Sequence, residues 1–224
     1  MSKTCTFCIP YKQDSEDRKE NLEIVKAHLA KLHEEVMVHE VTERPFHRTR
    51  YLNSMLNKAT TPVACLMDTD ALIALESMRE AIDMCLKGTT IVVPYGGEFL
   101  DVPRDKKREP LSSLDKLKLE SLSLHNDSVG GCVFVNRKQY LSMGGENENM
   151  VQWGEEDLER IDRVVKLGGK VEKLPGKLFH LYHPRKYEGM FGNKYYHSNR
   201  AERLKIQKLP KDDLVSYVNS WSWR

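Results

Sequence analysis

The sequence contains no apolar run close to the roughly 18 residues that a membrane span requires. Its first stretch, MSKTCTFCIPYKQ, lacks the apolar core of a signal peptide. Cysteine is scarce, five residues without regular spacing. An odd, irregular set argues against a disulfide framework and for reduced thiols in a cytoplasmic setting. Charge of one sign is lacking as well: 35 Lys and Arg stand against 33 Asp and Glu, a net of +2. Charge therefore supplies no case for nucleic-acid binding. Internal repeats and low-complexity segments are also absent. Against these absences stand 224 residues with 40% hydrophobic composition, enough for one large domain or one domain with a small appendage.

Cys5 and Cys8 form a single CxxC. No second pair completes a tetrahedral zinc site, and Cys5, Phe7 and Ile9 alternate with Thr4, Thr6 and Cys8, the pattern of an ordinary strand. That strand is expected to end at Pro10. Residues 15–33 follow with Leu22, Val25, Leu29 and Leu32 at helical spacing. Residues 36–41 and 63–67 read as strands, the second apolar throughout as if covered on both faces. Residues 49–59 and 74–87 read as helices, and residues 90–93 as another strand. This alternation predicts an α/β fold, a twisted, mainly parallel sheet flanked by helices. Ligands of such sheets bind beyond the carboxyl ends of the strands. Pro10-Tyr11-Lys12, Thr42-Glu43 and Asp68-Thr69-Asp70 each lie there, so they are expected to line one crevice.

Residues 94–110, PYGGEFLDVPRDKKREP, read as a long polar loop. Its Arg104–Arg108 charge run is either a solvated face or a basic arm over an anionic ligand. A helix is expected over 111–124, a strand over 131–136, a short helix near 138–143, a helix over 155–167, and short strands at 171–172 and 178–182. Residues 199–224 read as a charged amphipathic helix or helix pair ending in Trp221-Ser222-Trp223.

Three clusters could carry chemistry. Asp68-Thr69-Asp70 offers hard oxygen ligands suited to magnesium or manganese, although a DxD alone is common. His180 and His183 suit manganese or zinc. Three positions apart on an extended segment they would face different ways, and a bend at His183-Pro184 would bring them together. Trp153-Gly154-Glu155-Glu156-Asp157 stands at a helix start, where acids complement the helix dipole. It could equally hold a general base beside an aromatic that stacks on a sugar ring.

In this order the clusters resemble the glycosyltransferases of the GT-A (Rossmann-like) fold, most closely the β-1,4-galactosyltransferase type, over about residues 6–184. The stretches that carry the resemblance are Ile9–Lys12, Phe46-His47-Arg48 through Leu52-Asn53, Asp68–Asp70, Gly130-Gly131, Trp153–Asp157 with Arg163, and the His180–His183 pair. The resemblance implies a domain over 1–184, with a nucleotide-binding half (1–93) and an acceptor and catalytic half (94–184), followed by a C-terminal helical extension (185–224). It implies that Pro10, Tyr11, Lys12, Phe46, Arg48, Asp68 and Thr69 bind a UDP-sugar donor, and that Asp70, His180 and His183 ligate Mn2+ (or Mg2+). His180 falls where the family has a methionine. Asp157 matches the catalytic base, Glu156 an acid at the acceptor, and Trp153 and Gly154 the acceptor-side lid. Glu155 departs from the family, which has a second glycine there, in a loop that closes over donor and acceptor.

The implied reaction is transfer of a hexose, galactose or N-acetylgalactosamine favoured, to a hydroxyl of a glycan or other acceptor, with inversion. Neither nucleic acid nor a membrane span is expected to take part. A nucleotidyltransferase using the acids for two-metal chemistry would leave Trp153–Asp157 and the histidines without a role. A non-enzymatic interaction protein would use the SWSWR terminus as its docking helix.

Overall fold

The computed structural model describes residues 2–119, 127–184 and 193–223. Strands β1 (Cys5–Tyr11), β2 (Glu35–Glu40), β3 (Val63–Met67), β5 (Ile91–Val93), β7 (Cys132–Asn136) and β8 (Val171–Lys173) form one sheet in the order β2-β1-β3-β7-β5-β8. β1 pairs in parallel with both β2 and β3, and β5 with β8, while β7 runs antiparallel to β3 and β5. One reversed strand among six leaves the sheet mainly parallel. Helices α1 (Glu16–Leu29), α2 (Arg48–Lys58) and α3 (Leu75–Leu86) make the crossovers. Ser15 caps α1 by accepting a hydrogen bond from the Arg18 N–H, and Glu16 and Asp17 occupy its first turn. Every residue of β1 and β3 is buried, which explains the unbroken apolar run of β3, while β1 also buries the polar Thr6.

β1 continues through Pro10 to Tyr11, beyond the end expected from the proline. The pairing of β1 with β3 stops at Cys8 and Leu66. The Tyr11 carbonyl accepts from Val41 on the β2 side, so the missing N–H of Pro10 falls on the opposite side, past the last β3 pair, where no ladder bond is lost.

A second, three-stranded sheet goes beyond the sequence expectation. β4 (Ala71–Leu72) lies antiparallel to β9 (Lys177–Leu181), and β6 (Glu98–Val102) pairs with β9 in parallel. β6 occupies part of the expected 94–110 loop. Leu100 and Val102 are buried, and pairing with β9 outweighs the surrounding glycines and prolines. The basic run after it forms a strap, not a free arm. Arg104 and Lys107 bond Asp17 at 2.9 and 3.0 Å, and Lys107 and Arg108 each reach Glu20 at 2.7 Å. The helix expected over 111–124 is confined to α4 (Leu111–Leu114) followed by a turn, and residues 120–124 lie outside the described residues.

α5 (Arg137–Ser142) and α6 (Glu156–Leu167) complete the second half. α7 (Tyr196–Lys208) and α8 (Lys211–Asn219) pack on α6 around a second small core of Ile206, Leu214, Val218 and Trp221. Among the described residues no helix is long and apolar enough to cross a membrane.

Candidate active site

Asp70 sits in the turn between β3 and β4. Its carbonyl accepts from the Leu181 N–H at 2.7 Å, and the next residue, Ala71, pairs with His180. The small sheet thus fixes Asp70 beside the end of β9. His183 lies past that end. Its Nε2 stands 3.2 Å from Asp70 Oδ2, and His180 Nε2 stands 3.8 Å from Asp70 Oδ1. The two imidazole rings meet edge to face with centroids 5.1 Å apart. One ligand atom from each of Asp70, His180 and His183 falls within 4.8 Å of the others, a donor set that suits a divalent transition metal. A cavity of about 490 Å3 opens beside it, lined by Asp101, Lys118, His180, Tyr182 and His183.

Sequence reasoning missed two residues of this corner. Asp101 of β6 is in register with His180, and its Oδ1 is 2.8 Å from His180 Nδ1. That contact orients the ring so that Nε2 is the nitrogen left facing Asp70. The signal was present in Phe99-Leu100-Asp101-Val102, an alternating strand hidden among turn residues. Arg18 of α1 places Nη1 3.1 Å from Asp70 Oδ2. In sequence it reads as an ordinary i,i+4 partner of Asp14, which it also contacts, at 3.2 Å. Burial alone would raise the Asp70 carboxyl. The facing His180, the hydrogen bond from His183 and the Arg18 charge outweigh it and hold Asp70 well below the usual carboxylate range.

Asp68, two residues earlier, faces elsewhere. Its Oδ1 takes Nε and Nη2 of Arg48 at 3.0 and 2.9 Å. Burial raises its pKa, against the lowering effect of Arg48, and the neighbouring Asp70 and Asp157 push the same way as burial. Arg48 Nη1 is 3.9 Å from Asp157 Oδ1, is buried, and makes no hydrogen bond among the described residues. Arg160 Nη1 bonds Asp157 Oδ1 at 2.9 Å and is itself held by Glu146 at 2.8 and 2.9 Å. Asp68, Arg48, Asp157, Arg160 and Glu146 thus form one chain of alternating charge.

The glycine pair makes this approach possible. A Cβ on Gly130 would lie 2.3 Å from Asp157 Oδ2, and Gly131 adopts φ +75° with no room toward Leu178. The Gly131 carbonyl accepts from the Asp68 N–H at 2.8 Å, and the Gly130 carbonyl accepts from the Tyr95 hydroxyl at 2.7 Å. Any side chain at 130 would displace the Asp157 carboxylate from this position.

Glu156, beside Asp157, is buried and accepts from the Gly154 N–H at 2.7 Å. Burial first, and the Asp157 charge second, raise its carboxyl to about 7. Trp153 remains 39% exposed and stacks on Tyr196. Tyr11 is buried at the end of β1, with Lys12 next to it, and Thr69 is buried in the Asp68–Asp70 turn. Phe46 stacks on Tyr51, which stacks in turn on His39. It therefore belongs to an aromatic group at the start of α2.

The arrangement can be compared with known proteins. Residues 113–186 match the family described as the N-terminal domain of galactosyltransferase. Among solved structures, a mutant of Drosophila β-1,4-galactosyltransferase 7 in complex with manganese, UDP-Gal and xylobiose superimposes with a TM-score of 0.64 at 17% identity, covering 94% of this chain and 84% of that one. GalNAc-T7 with UDP, GalNAc and Mn2+ superimposes with a TM-score of 0.59 at 15% identity, covering 99% of this chain and 55% of that one. The fold is GT-A. In this GT-A fold the family match contains Trp153–Asp157, His180 and His183 but begins after Asp68 and Asp70. A probable N-acetylgalactosaminyltransferase 9 of Caenorhabditis elegans is 35% identical over 80 residues, 34% of this chain. Probable N-acetylgalactosaminyltransferase 6 of the same organism is 30% identical over 93 residues, 40% of this chain. The matched segments span 14% and 15% of those relatives.

Proposed function

We propose that this GT-A chain is a metal-dependent inverting glycosyltransferase that moves a hexose from a UDP-sugar to an acceptor hydroxyl. The observation that carries the reading is a pair of devices linked through the Asp68–Asp70 turn, whose Asp68 binds the same Arg48 that faces Asp157. One is a three-ligand cluster of Asp70, His180 and His183, and the other is a carboxylate, Asp157, held against Gly130 by Arg160 and faced by Arg48. Asp70, His180 and His183 would hold Mn2+ or Mg2+. When bound, that ion would offset negative charge on the departing nucleoside diphosphate. The donor set itself supports the fit, one carboxylate oxygen and two imidazole nitrogens within 4.8 Å of one another.

Arg48, whose Nη1 has no hydrogen bond among the described residues, has a donor to offer a phosphate oxygen. Pro10, Tyr11, Lys12, Phe46, Asp68 and Thr69 stand at or near the same strand ends, as contacts for nucleotide and ribose. Asp157 takes the proton of the attacking acceptor hydroxyl, while Trp153, Gly154 and Glu156 shape the acceptor side. Galactose and N-acetylgalactosamine are the favoured donor sugars, because the similar solved structures carry UDP-Gal or GalNAc.

A nucleotidyltransferase would need both acids of the turn on shared ions. Here Asp68 is committed to Arg48 and Asp70 to the histidines. Docking through the C-terminus is disfavoured too, because Trp221 is buried, with the Arg163 guanidinium 5.3 Å from its ring. Calorimetric titration of UDP with and without Mn2+, followed by a screen of UDP-sugars for hydrolysis, tests the reading. Metal-dependent UDP binding and release of free sugar are expected. UDP binding indifferent to Mn2+ would overturn it.

A further inference from the structure

The segment Val151–Glu155 does not hold its own shape. Gln152 (φ 61°), Gly154 (φ 122°) and Glu155 (φ 71°) all lie in the left-handed region that non-glycine residues avoid. The Glu155 carbonyl accepts from the Glu159 N–H at 2.8 Å, so this conformation sets where α6 begins.

Besides Glu156, which accepts from the Gly154 N–H, what holds it comes from α7 and the residues just before it. Asn199 of α7, fully buried, spends its side chain on the segment. Its Oδ1 accepts from the Val151 N–H at 3.1 Å, and its Nδ2 donates to the carbonyls of Val151 and Gly154 at 3.0 Å each. Asn193 donates to the Trp153 carbonyl at 3.0 Å. The Tyr196 ring stacks on Trp153 with centroids 6.3 Å apart and lies where a Cβ on Gly154 would be 2.8 Å away. Arg203 bridges Glu155 and Asp162, Nη1 to Glu155 Oε2 at 2.7 Å and Nε to Asp162 Oδ2 at 2.8 Å. The Tyr196 hydroxyl adds a longer bond to Glu155 at 3.3 Å.

We propose that α7 is a built-in clamp on the acceptor side of the site, with Arg203, Asn199 and Glu155 as positioning residues for Trp153, Glu156 and Asp157. The proposal rests on the transferase reading for its effect on turnover, but not for its effect on the segment. Glu155 takes a backbone conformation suited to glycine, and its carboxylate is the handle by which α7 grips the segment. A glycine there would leave a hinge; the glutamate makes a closed latch.

Two measurements test this. By hydrogen exchange and mass spectrometry, Arg203→Ala should speed exchange of peptides covering 151–157 about tenfold, with β1, β3 and β7 unchanged. In hydrolysis of UDP-galactose with Mn2+, with water as acceptor, the same variant should lower kcat about tenfold and leave the donor KM unchanged. Arg203→Lys, which keeps a cation within reach of Glu155, should restore much of the exchange protection. If Arg203→Ala does not fold, Glu155→Gln removes the same ion pair from the other side and is read the same way. Unchanged exchange over 151–157 in a folded variant overturns the clamp, as does a raised donor KM with kcat unaltered. A wild-type chain inert toward UDP-sugars would sink the transferase reading alone, since exchange needs no substrate.

Discussion

The proposed metal corner and the proposed acceptor corner are built by opposite means. At the first, Asp70, His180 and Asp101 sit on or beside strands of one small sheet, and ladder register sets their spacing. At the second, Trp153, Glu156 and Asp157 sit on a left-handed loop and a helix start, positioned by side chains from α7, by Arg160 and by a missing side chain at Gly130. A backbone ladder gives a precise site from few residues. A loop gains comparable order only through many side-chain bonds, and each of these can be removed singly. Damage at the metal corner should therefore appear as lost binding, and damage at the acceptor corner as lost turnover.

The largest effect that would sharpen this contrast is at Asp157. Asp157→Asn should cut turnover by roughly a hundredfold to ten-thousandfold, with UDP affinity measured by calorimetry little changed. Intact turnover would remove Asp157 from its role and with it the division of labour. Next, His183→Ala should weaken Mn2+ and UDP together, by more than the roughly 10–100-fold typical of losing an outer-shell partner. Asp101→Ala, which frees the His180 ring without removing a ligand, should cost about tenfold in Mn2+ affinity. A loss of turnover without a loss of metal affinity would break the comparison at that residue. The smallest effect concerns stability. The Glu156 carboxyl is raised from 4.5 to about 7 in the folded chain, so folding favours its protonated form. Its contribution is present below pH 4.5 and is lost as pH rises through 7. Urea midpoints of Glu156→Gln should depend less steeply on pH across that window than those of the parent chain.

The large sheet was legible in the sequence because β3, covered on both faces, writes a continuous apolar run and β1 an alternating one, each followed by a helical period. The small sheet was not. β4 is two residues long and β6 lies between glycines and prolines, so neither shows a period that stands apart from its neighbours. Asp101 was lost with β6. His180 and His183 were visible as a pair, and their meeting needed only the end of β9 at Leu181, after which the chain is no longer held to strand geometry. Gly130 and Gly131 could be noticed but not explained, because the reason for the first is a carboxylate 27 positions away. The Arg104–Arg108 run looked like either solvent decoration or a ligand arm. Its partners, Asp17 and Glu20, are on a helix far earlier in the chain. Arg18 gave no signal, since its distant bond is hidden by a local one.

Arg163 carries a practical consequence. Its guanidinium donates to the carbonyls of Met143 and Gly145, pairs with Glu159, and packs against both Tyr140 and Trp221. The last residues of the chain therefore roof the same cation that props the turn leading into Glu146, the anchor of Arg160 and so of Asp157. Trimming the tail before Trp221 to obtain a tidier protein would strip that roof and carry the disturbance inward to the first turn of α6.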